Sequence, residues 1–229
     1  MIDRLISWFA PHICEGCGAT GSGLCDRCNK DILAQPWRRC VSCLQVVSSE
    51  SYRSRGAMCI GCRRQLPFRR VFIVGERTKV LQRLVGNFKY FSQRDYRAAI
   101  ARLLSATLPD QLPNDLEIVF VPTAAKHIRE RGFDHMQLVA QQLAKRRSLT
   151  VAPVVRRLGN QAQHSANRTE RRRQAESTFV LRDRPIPKKV LLIDDIYTTG
   201  ATTQAIATLL RRAGTAEVWL AVVARQTEN

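Results

Sequence analysis

An α/β chain built on a parallel sheet, preceded by a small cysteine-rich module, is the fold class this sequence predicts. Three observations carry that expectation. Residues 190–204, VLLIDDIYTTGATTQ, run from an apolar strand through two carboxylates and a hydroxyl-rich turn into a helix. From residue 69 onward, β-branched apolar runs alternate with helical periodicities, the pattern of strand and crossover helix. All eight cysteines lie at or before Cys62.

The amino-terminal part begins with Ile2, Leu5, Ile6 and Phe9 on one helical face with Trp8 beside it, which predicts a short helix packed on the body. The eight cysteines then form four C-x-x-C pairs: Cys14 and Cys17, Cys25 and Cys28, Cys40 and Cys43, Cys59 and Cys62. Two such pairs supply the four soft ligands of tetrahedral zinc, so the residues predict two structural Zn(Cys)₄ sites. Sequential pairing is the simplest arrangement, and an interleaved one satisfies the same spacing. Disulfides are the competing account, which a cytoplasmic compartment disfavours. The polar, Gly-rich segments between the pairs predict little core, leaving metal binding to supply the folding energy. This module is assigned residues 1–68 and the α/β body residues 69–229.

The formal charge is +18 over 229 residues. Two zinc ions held by eight thiolates would lower it by only about four charges. A balance this basic favours polyanions such as DNA or RNA. No run of eighteen apolar residues is present, and the start lacks the basic, apolar and small-residue regions of a signal peptide. Both features predict a cytoplasmic protein without stable membrane insertion.

In the body, Val71–Val74 reads as a first strand and residues 79–90 and 96–108 as helices. Leu116–Val121 is the next strand, ending at Pro122, and Thr123, Ala124, Ala125 and Lys126 form a short segment at its carboxyl end. Met136, Leu138, Val139, Ala140 and Leu143 predict an amphipathic helix after the basic stretch that holds Arg129 and Arg131. Residues 151–155 read as a strand interrupted near Pro153. Residues 156–179 are densely basic: a loop over an anionic ligand, a nucleic-acid surface and a solvated charge run remain open for them.

The central stretch then follows. Val190–Ile193 is a buried parallel strand, and Ala205, Ile206, Leu209 and Leu210 share one helical face. Asp194 and Asp195 thus sit at the carboxyl end of a strand, where open α/β sheets place ligands. Thr198, Thr199 and Thr202 around Gly200, at a helix amino terminus, suit a phosphate. Two carboxylates beside a phosphate cradle make sense for a ligand that also presents ribose hydroxyls or a divalent metal. The plain alternative is a capped helix in which an aspartate fixes the turn. Residues 216–224 close the pattern as a last strand after Gly214, leaving little room for a hood over a nucleobase.

The DDxxTTGxT run resembles the phosphoribosyl pyrophosphate signature of type I phosphoribosyltransferases. The resemblance implies Asp194 and Asp195 as the catalytic pair on the ribose hydroxyls, with Thr198, Thr199, Gly200, Ala201 and Thr202 around the 5′-phosphate. It also implies Thr123–Lys126 as the pyrophosphate loop and Mg²⁺ as the companion of the ligand. Arg131, Gly132, Phe133 and His135 resemble a motif of the competence protein F family, with Asp134 where that family usually has Asn. Gln163, Arg168, Arg172, Arg173 and Phe179 resemble its arginine-rich stretch, although Gln174 and Ala166 depart from it.

Together these imply an α/β, type I phosphoribosyltransferase-like parallel sheet with an N-terminal double zinc ribbon. The family resemblance further implies a role in DNA uptake and utilization during natural competence, with binding to incoming single-stranded DNA and cooperation with helicase or recombination proteins. In that setting Arg129, Arg131, Arg168, Arg172 and Arg173 are candidates for contacts to pyrophosphate or nucleic acid. An active phosphoribosyltransferase with an unknown acceptor is the second reading.

Overall fold

A computed structural model describes residues 13–91, 94–158 and 178–227. The expected amino-terminal helix and most of the arginine-rich stretch, including Arg168, Arg172 and Arg173, lie outside the described residues.

The body is a five-stranded sheet formed by β1 (Arg70–Glu76), β2 (Leu116–Phe120), β3 (Thr150–Val151), β6 (Lys189–Tyr197) and β7 (Glu217–Arg225). Their spatial order is β1-β7-β6-β2-β3 and every pairing is parallel. A two-stranded antiparallel ribbon, β4 (Val155–Arg157) with β5 (Phe179–Leu181), stands apart from it. The strand expected over residues 151–155, with an interruption near Pro153, is divided between β3 and β4, with Pro153 in the gap. Proline cannot donate to a ladder, which fits a break there.

Strand alternation gives the sheet two apolar faces. Phe72, Val74, Leu191, Ile193, Trp219 and Ala221 face one layer, covered by α3 (Lys79–Phe91), α4 (Arg94–Thr107) and α6 (His135–Arg147). Leu81, Leu84, Phe88, Leu103, Leu104 and Val139 come from those helices. Val71, Ile73, Val190, Leu192, Val218 and Leu220 face the other layer, covered in part by Ile206, Ala207 and Leu210 of α7 (Ala201–Arg212).

The cysteine-rich module straddles the β1 edge, one lobe on each face. Cys14 and Leu24 belong to the first layer, against Tyr96 and the α4 residues. Glu15 anchors this lobe: its carboxylate accepts from Asn87 Nδ2 at 2.6 Å and from the Tyr96 hydroxyl at 2.7 Å, and Arg83 Nε lies 3.4 Å away. Asp26, at the start of α1 (Asp26–Leu33), pairs with Arg102 of α4 at 2.8 Å. Trp37, Val41, Ala57, Met58, Leu66 and Phe68 belong to the second layer.

The module therefore contributes substantial core, against the sequence expectation. Its apolar residues are spaced singly between polar ones, so no local period announces them; they are gathered by the sheet edge they cover. The helix α2 (Ser49–Arg55) ends at Gly56, whose φ of +70° lets the chain turn to lie beside β1. A Cβ on Gly56 would stand 1.9 Å from the Val71 carbonyl oxygen, and the Ala57 amide donates to that same oxygen at 2.7 Å.

Candidate functional site

The cysteines group in sequence order, Cys14, Cys17, Cys25 and Cys28 in one lobe and Cys40, Cys43, Cys59 and Cys62 in the other. Within each group the sulfurs all lie within 4.8 Å of one another. Cys17 and Cys25 Sγ are 3.8 Å apart and Cys43 and Cys59 Sγ 3.7 Å apart. Four sulfurs at about 2.3 Å from a tetrahedral zinc are roughly 3.8 Å apart, so both groups fit that ion.

Their acidities point the same way. Burial opposes ionisation of Cys14, but backbone amides including that of Cys25 bring it down to about 6. Burial and the neighbouring cysteine sulfurs push Cys28 up to about 12. Cys59 and Cys62 repeat the contrast at about 7 and about 12. Four thiols this close resist becoming four thiolates until a cation shares their charge.

At the carboxyl end of β6 the two aspartates turn to opposite sides, as successive strand residues do. Asp194 is 8 % exposed, and its Oδ1 accepts from the Asp195 amide at 2.9 Å. With Ile196, Tyr197 and residues 198–203 it lines a small cavity of about 40 Å³. Burial, and then the Asp195 charge beside it, raise the Asp194 carboxyl well above its ordinary range.

Asp195 faces the helical layer instead. Its Oδ2 lies 3.1 Å from His135 Nε2 and forms an ion pair with Lys89. Burial works against its ionisation, but the hydrogen bond from His135 and the charge of Lys89 outweigh it and hold the carboxyl well below the ordinary range.

His135 connects this carboxylate to a second one. Its Nδ1 is 2.9 Å from Thr123 Oγ1, which is 2.9 Å from Asp134 Oδ1. The Thr123 hydroxyl has a single proton. Both of its contacts are satisfied when His135 Nδ1–H donates to Thr123 Oγ1 and the Thr123 hydroxyl donates to Asp134 Oδ1. Asp134 also accepts from the Thr123 amide at 2.9 Å and caps α6 through the Met136 and Gln137 amides. A carboxylate in place of the usual Asn thus has four donors to serve.

The phosphate-type turn has the geometry its residues imply. Gly200 has φ +77°, and a Cβ there would stand 2.0 Å from the Tyr197 hydroxyl oxygen. That hydroxyl is held by Gln204 Nε2 at 3.2 Å. Glycine has no side chain with which to cap α7, so the amides at the start of this twelve-residue helix stand open beside Thr198, Thr199 and Thr202. The Ala201 amide makes one long contact, 3.4 Å, with Thr199 Oγ1.

The expected pyrophosphate segment is divided. Thr123 and Ala124 follow β2, whereas Ala125 and Lys126 begin α5 (Ala125–Arg131). The Thr123 amide is engaged by Asp134, and Lys126 is exposed, 3.9 Å from Glu130 on its own helix. Arg129 and Arg131 lie in the last turn of α5. Lys89 is the functional side chain that sequence reading missed. It follows Phe88 at the border of the α3 apolar face, and only the fold brings it to Asp195.

A second link runs from the site to the second cysteine lobe. Arg225, at the end of β7 and 8 % exposed, donates from Nε to the Val41 carbonyl at 2.8 Å and from Nη1 to the Tyr197 carbonyl at 3.3 Å. Tyr197 is the last residue of β6 before the turn.

Similarity to known proteins agrees with this architecture. Over 216 residues the chain is 28% identical to "Competence protein F" of Haemophilus influenzae, covering 89% of this chain and 91% of that one. It is 28% identical over 224 residues to "DNA utilization protein YhgH" of Salmonella typhi, covering 87% and 96% respectively. "Competence protein ComFC" of Streptococcus pneumoniae is 30% identical over 121 residues, about half of each chain. The phosphoribosyl transferase domain matches residues 99–229, which hold β2, β6, the Thr198–Thr202 turn and β7. That match spans more than half of the chain, and the chain belongs to the phosphoribosyl transferase domain family.

Proposed function

We propose that this is a DNA utilization protein of natural competence that binds single-stranded DNA and carries a pocket for a phosphoribosyl pyrophosphate-type ligand. The observation that carries the pocket is the turn at Gly200, where a left-handed glycine leaves an uncapped helix amino terminus beside three threonine hydroxyls and the buried Asp194. Asp194 and Asp195 would serve the ribose hydroxyls, and Thr198–Thr202 the 5′-phosphate. Arg129, Arg131 and the basic stretch with Arg168, Arg172 and Arg173 would meet pyrophosphate or nucleic acid.

The DNA side of the reading is supported by the relatives' names and by the net charge of +18. Residues 1–68 act as the zinc ribbon and 69–229 as the phosphoribosyl body, with zinc structural in both cysteine groups. Helicase or recombination proteins would be its partners in that role.

An active transferase is the second reading, favoured by the intact signature. The reaction would be displacement at C1 of the ribose, with pyrophosphate leaving. Mg²⁺ bound with the ligand would neutralise that leaving group. No nucleophilic side chain is needed, and the acceptor attacks directly.

The two sides are tested together with D194A/D195A. Retained binding to a single-stranded oligonucleotide with lost binding of phosphoribosyl pyrophosphate is the expected result. Failure of the wild type to bind single-stranded DNA at low salt would overturn the DNA reading.

A further inference from the structure

A separate basic cavity opens at the other end of the sheet. Arg55, Arg63, Arg69 and Arg211 line a space of about 310 Å³, with Met58, Leu66 and Phe68 as its apolar wall and Ala216 and Glu217 at its rim. Four segments converge there: the end of α2, the short turn at Cys62–Arg64, the residue before β1 and the last turn of α7. All strands of the sheet are parallel, so the cavity sits at the amino ends of β1 and β7 while Asp194 and the Gly200 turn sit at the carboxyl end of β6. Five strand residues from Lys189, the partner of Glu217, to Asp194 span about 17 Å at roughly 3.3 Å each.

We propose that this arginine cavity is a phosphate-binding site for the backbone of a single-stranded polynucleotide, distinct from the phosphoribosyl pocket. The inference rests on the single-stranded DNA reading above and says where the strand is held. Among the described residues, no carboxylate lies within ion-pair distance of any of the four guanidinium groups. Glu217 is the one carboxylate in the lining, and its Oε2 accepts from Trp219 Nε1 at 3.2 Å. Arg55 Nη1 is buried without a hydrogen-bond partner among the described residues. Burial, and then the charges of Arg63 and Arg69, pull the Arg55 guanidinium below its ordinary value.

Charge at a helix end accounts for Arg55 and Arg211 one at a time, since both occupy last turns. It does not account for the second cysteine lobe and the α/β body bringing four guanidinium groups to one cavity. A phosphodiester does, because its oxygens accept from several forks at once. Arg64 and Arg212 are exposed next to Arg63 and Arg211, and Lys188 is exposed just before β6. The positive surface therefore continues past the cavity, as a ligand with repeated phosphates needs and a single small anion does not. Met58, Leu66 and Phe68, buried in the second core layer, back the cavity and fix the place of the arginines around it.

The test uses the full-length, zinc-loaded chain and a fluorescent twenty-nucleotide oligo-dT, with anisotropy read between 50 and 300 mM salt. R69Q/R211Q changes two exposed side chains. K145Q/R146Q removes the same charge from two exposed residues at the end of α6, away from the cavity. The first variant should bind about tenfold more weakly at low salt, with a log–log salt slope shallower by roughly 1.4, while the second stays close to wild type. R69K/R211K should keep the wild-type slope.

Equal losses in both neutralised variants, or none in either, would overturn the site and leave single-stranded DNA binding standing. No oligo-dT binding by the wild type would overturn the site together with the reading it rests on. A cavity that served only free anions would show loss of inorganic pyrophosphate binding in R69Q/R211Q with oligo-dT binding unchanged, and that too would contradict the proposal. Phosphoribosyl pyrophosphate binding should be the same in all three variants.

Discussion

Asp195 Oδ2 stands 3.1 Å from His135 Nε2, sixty residues earlier in the chain, and this contact joins the end of β6 to the start of α6. Lys89 of α3 meets the same carboxylate, so three elements share one charge. Removing that charge leaves Lys89 without its counter-ion and only a neutral amide oxygen for the lysine and histidine to share. D195N should therefore cost about 2 kcal/mol in urea denaturation. A double-mutant cycle between D195N and H135Q should show coupling of about 1 kcal/mol; additive losses would mean that the contact carries no energy.

Asp194 predicts the opposite sign. Its folded-state value is raised by burial and by Asp195, so the group favours the folded state most below its unfolded value, near 4, and progressively less as pH rises toward the folded value. The depressed Asp195 instead contributes stability above its unfolded value and loses it as pH falls toward the folded one. D194N keeps an acceptor for the Asp195 amide and removes the charge. Its melting temperature should rise relative to wild type as pH goes from about 4 to 8, while binding of phosphoribosyl pyrophosphate is lost. A constant difference across that range would show that Asp194 is not held protonated by its surroundings.

The Gly200 turn should tolerate no side chain. G200A places a Cβ against the Tyr197 hydroxyl and forces a left-handed alanine, costing about 1–2 kcal/mol before any repacking. Thermal unfolding with the ligand titration on the same sample would separate stability from binding, and both should fall. Full ligand binding by G200A would mean that this turn does not hold the phosphate.

Zinc removal should reach further than the cysteines. Both lobes cover opposite faces of the β1 edge, and Arg225 bonds both the Val41 and Tyr197 carbonyls. Chelation should expose residues 13–68 to protease and increase amide exchange at β1 and at the end of β6, while β2 and α6 stay protected. Unchanged protection of residues 13–68 would contradict the structural role of the metal.

Much of this fold was legible because its period is unambiguous. Val190–Ile193, Leu116–Phe120 and Glu217–Arg225 are apolar runs too short for helices, and each is a strand of the sheet. The C-x-x-C spacing predicted two four-cysteine groups but left sequential and interleaved pairing open, and the structure gathers the sulfurs sequentially. What stayed hidden depends on distance along the chain. Lys89 reads as one more helix cation until α3 is laid on β6. Asp134 reads as a departure from a motif until Thr123 is found at its side. Trp37, Val41 and Met58 read as isolated apolar residues because the surface that buries them belongs to the sheet. The cavity at Arg55 and Arg211 joins residues 156 positions apart, beyond any local pattern.

The most direct measurement is calorimetric titration of phosphoribosyl pyrophosphate with Mg²⁺ into the folded, zinc-loaded chain, for wild type and T199A. The Gly200 turn predicts saturable binding by the wild type, weakened about tenfold or more in T199A through loss of a hydroxyl donor to phosphate. Absence of binding by well-folded wild type, or binding that T199A leaves unchanged, would contradict a phosphoribosyl pocket at this turn.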